Sequence, residues 1–176
     1  PDGSEREYDK ANLTPADVAA DIGSGLRKAA IGAKVNGTLV DLDRPIADVA
    51  DGDAVDLAIV TRPRKNTPIR EQDPDALYLL RHSCAHVMAE AIQRLWPDTQ
   101  LAYGPPLENG FYYDIALDTP ISSDDFEKIE AEMKKIVEEN RQFTRYELEP
   151  EQGFEKLRAE GNKYKVDNAE RAIEGG

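Results

Sequence analysis

"AIGAKVNGTLVDL", residues 30–42, decides the fold of the first third of the chain. Two largely apolar arms flank Asn36-Gly37, a pair that tolerates the two positive φ angles of a type I′ turn, so the stretch reads as a β-hairpin. Upstream, "LTPADVAADIG" has the order of signals of a short helix: Thr14 as N-cap, Pro15 at the first helical position, Asp17 in the first turn and Gly23 past the end. Val18 and Ile22 lie four apart and are expected to share its buried face. Downstream, in "DGDAVDLAIV", Val55, Leu57 and Ile59 alternate with Asp56 and Ala58, the period of a half-buried strand. Helix, hairpin and strand over residues 1–62 describe a small β-grasp unit. "PDGS" reads as a turn and "EREYD", residues 5–9, as a strand after it, whose own partner is expected to precede Pro1.

Charge is uneven along the chain. The net charge is −13, yet residues 62–70 hold four bases and no acid. So acidic a surface repels nucleic acid at long range, which confines any RNA contact to a local patch. The basic island "RPRKNTP", residues 62–68, carries two prolines and reads as a stiff linker over 63–73. No run of 18 apolar residues and no signal-peptide start is present, so no membrane partner is expected and a cytoplasmic location is. The one cysteine cannot form a disulfide within the chain.

Residues 74–176 read as a second, α+β unit with helices on a small antiparallel sheet. "DALYLLRHSCAHVMAEAIQRLW" is a helix with Leu77, Leu80, Cys84, Val87, Met88, Ala91 and Leu95 on one stripe. "TQLAYGPPLENGFYYDIAL" is a hairpin with Asn109-Gly110 at its turn, and "SSDDFEKIEAEMKKIVEENRQ" a helix capped by Ser122 or Ser123 that buries Phe126, Ile129, Met133, Ile136 and Val137. "FTRYEL" is a short strand, "PEQGFEKLRAEG" a helix from Pro150 to Gly161, and "NAERAIE" a last helix ended by Gly175. A terminal diglycine far from the β-grasp unit does not make a ubiquitin-like modifier.

Both histidines and the cysteine fall within "HSCAH", residues 82–86. His82 and His86, four apart on a helix, project from one face, while Cys84 lies about 160° around it, among the apolar positions. The thiol reads as a core residue. Two imidazoles are half of a structural zinc site, and Ser83 stands where the H-E-x-x-H pattern needs glutamate, so no metal site is assigned. A metal-dependent hydrolase completed by carboxylates stays as a minor alternative. Leu79, Ala85 and Ala89 beside the pair suggest a pocket floor more than a charged surface.

"RHSCAHVMAEAIQRLWPDTQLAYGPPLENGFYYDI" closely resembles the start of the editing domain of bacterial threonyl-tRNA synthetases, and "DIGSGLRKAAIGAKVNGTLVDL" with "PDGSEREYD" resembles the TGS domain that precedes it. The resemblance implies an enzyme family that ligates threonine to its tRNA with ATP and proofreads the serine-mischarged product. The proofreading has a chemical motive, because a missing methyl is worth only ~1–3 kcal/mol of discrimination. It implies His82, His86 and Lys165 as catalytic residues and Tyr113 as a substrate-binding one. ATP, magnesium and zinc are implied for the remainder of such an enzyme, with none for this stretch. The implied partners are threonine tRNAs and a second subunit held through other domains. The family's site is completed by a C-x-x-x-H pair farther along, so an incomplete, inactive editing site is expected here. The rival is a non-catalytic RNA- or protein-binding module in which the histidines are incidental.

Overall fold

The computed structural model describes residues 3–8, 11–52, 54–144 and 146–174. The chain divides into two compact units, Pro1–Leu80 and Arg81–Gly176.

The first unit opens with α1 (Pro15–Ile22) and α2 (Ser24–Ala29), followed by β1 (Ala30–Val35), β2 (Thr38–Val40) and β3 (Leu57–Thr61). Thr14 caps α1 reciprocally: its Oγ1 accepts from Asp17 N at 3.2 Å, and Asp17 Oδ2 accepts from Thr14 N at 3.0 Å. The hairpin forms as expected, with φ of +47° at Asn36 and +83° at Gly37. The sheet is antiparallel in the order β2-β1-β3. Ala33, Val35 and Val40 form its buried centre, against which Ile46, Val49, Val55, Leu57 and Ile59 pack. Val60 points the other way and is also buried, because α1 covers that face with Val18 and Ala19. Ile22 departs from expectation: it is 46% exposed, since the short α1 turns its last residue off the sheet. Residues 3–8 form no strand, while Arg6 and Tyr8 both bond the Asp21 carboxylate, at 2.9 and 3.1 Å. Asp9, the end of the expected strand, lies outside the described residues.

The helix α3 (Pro74–Leu95) contains the division between the units. The second unit continues with β4 (Gln100–Tyr103), β5 (Pro106–Leu107), β6 (Gly110–Phe111), β7 (Asp114–Ala116), α4 (Phe126–Glu138), α5 (Pro150–Ala159) and α6 (Lys163–Glu174). The expected single hairpin is split into two ladders, β4–β7 and β5–β6, with a register shift between Leu101 and Tyr103. Its turn centres on Glu108-Asn109, one residue early, because Gly110 pairs with Leu107. Ala91 and Ile92 of α3 meet Ile129 and Ile136 of α4 in the core, with Met88, Trp96, Ile115 and Met133 packed around them. Around this core Arg94 bonds Glu90 and Glu139, while Arg141 spans the same two carboxylates.

Several expected core residues are exposed: Leu80, Phe126 and Val137 at 52, 58 and 66%. Small residues take the buried positions of α3 instead, Ala76, Ala85, Ala89 and Ala91. "FTRYEL" forms no strand among its described residues, and Phe143 is fully exposed. β-propensity there meets no neighbouring strand to complete a ladder. Pro150 starts α5 and Gly161, at φ +72°, follows its end, as expected. The last helix begins earlier than expected, at Lys163, and Gly175 lies outside the described residues.

Candidate functional site

The histidine pair is made by α3. Its 3.6-residue turn stacks His82 under His86, with ring centroids 4.8 Å apart and planes 24° from parallel. Their Nε2 atoms are 2.9 Å apart, which is a hydrogen bond. One ring therefore donates and the other must offer a bare nitrogen, so the pair carries at most one extra proton in this geometry. Ala85 and Ala89, both buried, follow on the neighbouring turns.

The pKa of His86 is lowered, first by partial desolvation of its ring, then by the charge of His82 and that of Lys165. A lowered histidine is a neutral base at physiological pH. The same interaction places Lys165 within electrostatic reach of the pair. Lys165 sits in the first turn of α6, and its Nζ bonds Glu160 Oε2 at 2.9 Å. Asn162 sets that turn: its buried Oδ1 accepts from Tyr164 N and Lys165 N at 3.2 and 3.4 Å. Asn168 then ties α6 to β4 through the Ala102 carbonyl at 3.1 Å.

Tyr113 is positioned by a different contact. It lies between β6 and β7, with its ring against the backbone of Gly104: a Cβ built on Gly104 would fall 2.2 Å from Tyr113 Cδ2. The β5–β6 turn is held in turn by Arg81, whose guanidinium donates to the carbonyls of Leu107 and Glu108. Arg81 immediately precedes His82, so the residue that anchors the turn adjoins the imidazole pair in sequence. Cys84 is half-buried, and burial pushes its thiol pKa up, which makes it a poor nucleophile.

The structure thus sets His82 against His86 with the Lys165 charge within electrostatic reach, and places Tyr113 between β6 and β7, against Gly104. Sequence reasoning missed Arg81, Gly104, Glu160 and Asn162. Of these only Asn162 carried a readable signal, an Asn-Lys-Tyr-Lys order that fits an N-cap and first turn. A metal finds few donors: bonds of about 2.0–2.1 Å at tetrahedral angles would hold two imidazole nitrogens roughly 3.3 Å apart. Here the nitrogens bond each other, and no group of three or more candidate ligands exists among the described residues.

Residues 1–59 match the family model described as the TGS domain. A threonine–tRNA ligase of Hyphomonas neptunium is 43% identical over 94% of the chain, and those of Anoxybacillus flavithermus and Rhizobium rhizogenes are 42% identical over 95 and 99%. The chain spans only about a quarter of the length of these relatives, 23 to 24%. The first 59 residues are therefore similar to TGS domains, and the chain is similar to threonine–tRNA ligases along almost its whole length.

Proposed function

We propose that the chain is the N-terminal region of a threonine–tRNA ligase and that its second unit hydrolyses tRNA mischarged with serine. The observation that carries this is the hydrogen-bonded His82–His86 pair with the Lys165 charge beside it. Neutral His86 takes a proton from water as the water oxygen bonds the ester carbonyl carbon. Lys165 stabilises the oxyanion that forms. The carbon–oxygen bond to the ribose then breaks, and the proton on His86 passes to the leaving ribose oxygen, while His82 shares the charge through its Nε2 contact. Glu160 holds the Lys165 ammonium in place, and Tyr113, fixed on Gly104, lines the amino-acid side of the pocket.

The whole enzyme ligates threonine to its tRNA with ATP, acts in the cytoplasm and pairs as a homodimer through domains beyond this region. ATP, magnesium and zinc belong to those domains. No step in this site passes through them. Among the described residues no helix is long and apolar enough to cross a membrane.

The test compares the full-length enzyme, its Lys165→Gln variant and the 176-residue chain on preformed seryl-tRNA. The enzyme deacylates it, the Lys165→Gln variant is slowed, and the 176-residue chain is compared at equal concentration. A full-length enzyme that leaves seryl-tRNA intact overturns the reading.

A further inference from the structure

Arg81 has no task in the reaction just described. It stands one position before His82 on α3, and its neighbours three and four positions either way are Leu77, Tyr78, Cys84 and Ala85. None is a carboxylate, so no ion pair at helical spacing is open to it, in contrast to Arg94, which pairs with Glu90 four residues back. The guanidinium of Arg81 instead crosses to main-chain oxygens 26 and 27 residues away, its Nη1 donating to the carbonyls of Leu107 and Glu108.

The turn it reaches needs such an anchor. β5 and β6 pair over two residues each, Pro106 with Phe111 and Leu107 with Gly110, and the loop between them is Glu108-Asn109. A two-residue loop follows the twist of its strands when its first residue, or both, take positive φ. Asn36-Gly37 does so in the first unit, while Glu108 and Asn109 do not. Leu107, Glu108 and Asn109 are exposed, so little apolar packing holds the loop either. A ladder of two pairs on a mismatched loop is marginal by itself, and the guanidinium is what ties it to a long helix.

The same excursion carries Tyr113. The chain leaves at Gly104 and returns to it, because the Tyr113 ring lies on the Gly104 backbone, and Glu108 is midway between the two. The excursion is therefore held at its base by the ring and at its tip by Arg81. The anchor of the tip shares the main chain of α3 with His82.

We infer that Arg81 is a positioning residue for seryl-tRNA hydrolysis, which holds the Tyr113 excursion in register with the imidazole pair. The ester lodged against Tyr113 then meets the water that His86 activates. This role rests on the editing reading proposed above and gives Arg81 no contact with substrate.

The test is deacylation of preformed seryl-tRNA by the full-length enzyme, with kcat and KM resolved, for R81M, R81K, Y113A and R81M/Y113A. R81M removes the donors and keeps an unbranched stem. It should lower kcat about 10- to 100-fold, the scale of a roughly 1 Å misplacement, with KM within about twofold of wild type. R81K restores a donor and should recover part of that loss. Y113A keeps a residual rate, since Tyr113 moves no proton, and R81M added to it should change kcat by less than about twofold because the group through which Arg81 acts is gone. A residue needed only for folding would lower that residual rate as well. A wild-type kcat in R81M, a raised KM at constant kcat, or an equal loss with and without Tyr113 overturns the inference on an enzyme that still edits. A wild-type enzyme that leaves seryl-tRNA intact overturns the editing reading itself, so the two failures are told apart.

Discussion

Gly104→Ala isolates the packing that positions Tyr113. The new Cβ would lie 2.2, 2.5 and 2.6 Å from Cδ2, Cε2 and Cγ of the Tyr113 ring. Ordinary carbon contacts are about 3.5–4.0 Å, so the ring must retreat by more than ~1 Å. It has no free end to swing, because the atoms struck include Cγ, next to the main chain. Overpacking of this kind costs about 1–3 kcal/mol. For a unit of this size each kcal/mol lowers Tm by about 4–8 °C, so calorimetry of the chain should record a fall of roughly 4–24 °C. Tyr113→Ala removes the obstructing ring, and Gly104→Ala added to it should then be nearly neutral, which gives a non-additive double-mutant cycle. In the full-length enzyme Gly104→Ala should impair seryl-tRNA hydrolysis, with His82 and His86 untouched. A melting temperature within 1 °C of wild type, or an additive cycle, would refute the assigned contact.

Two further outcomes follow from local chemistry. Thr14→Ala removes one half of the α1 capping box and should cost about 1 kcal/mol, within a range of 0.5–2, read as a lower urea midpoint for the first unit. His86 has a folded pKa below its ordinary value, so the unfolded chain binds its proton first as pH falls. Stability should be unaffected above about pH 7.5 and should drop as pH falls through about 6.5. His86→Gln should lose less stability than wild type between pH 7.5 and 5.5, and equal losses would refute the assigned shift.

Much of the fold was legible because its signals are local. Asn36-Gly37, Thr14 with Asp17, and Pro150 each fix a dihedral or satisfy a backbone group within a few residues. The histidine pair was legible for the same reason, since spacing alone puts His82 and His86 on one face. What failed depended on distant partners. Leu80, Phe126 and Val137 carry a helical period, but whether they are buried depends on what packs above them. "FTRYEL" has strand composition and no ladder to join. Tyr113 packs on Gly104, a contact between residues nine apart that no alternation announces. Lys165 owes its place to Asn162 and Asn168, which act through a cap and a carbonyl on another element.

The central claim is that the imidazole pair performs proofreading and not synthesis. Its most direct test is the rate of deacylation of preformed seryl-tRNA by the full-length enzyme and by its His82→Ala and His86→Ala variants, with threonine charging measured in parallel. The account predicts that each variant loses about 10²–10⁴-fold in deacylation, the usual scale for a positioned acid or base, while charging is nearly intact. Wild-type deacylation rates in both variants would contradict it and leave the histidines incidental.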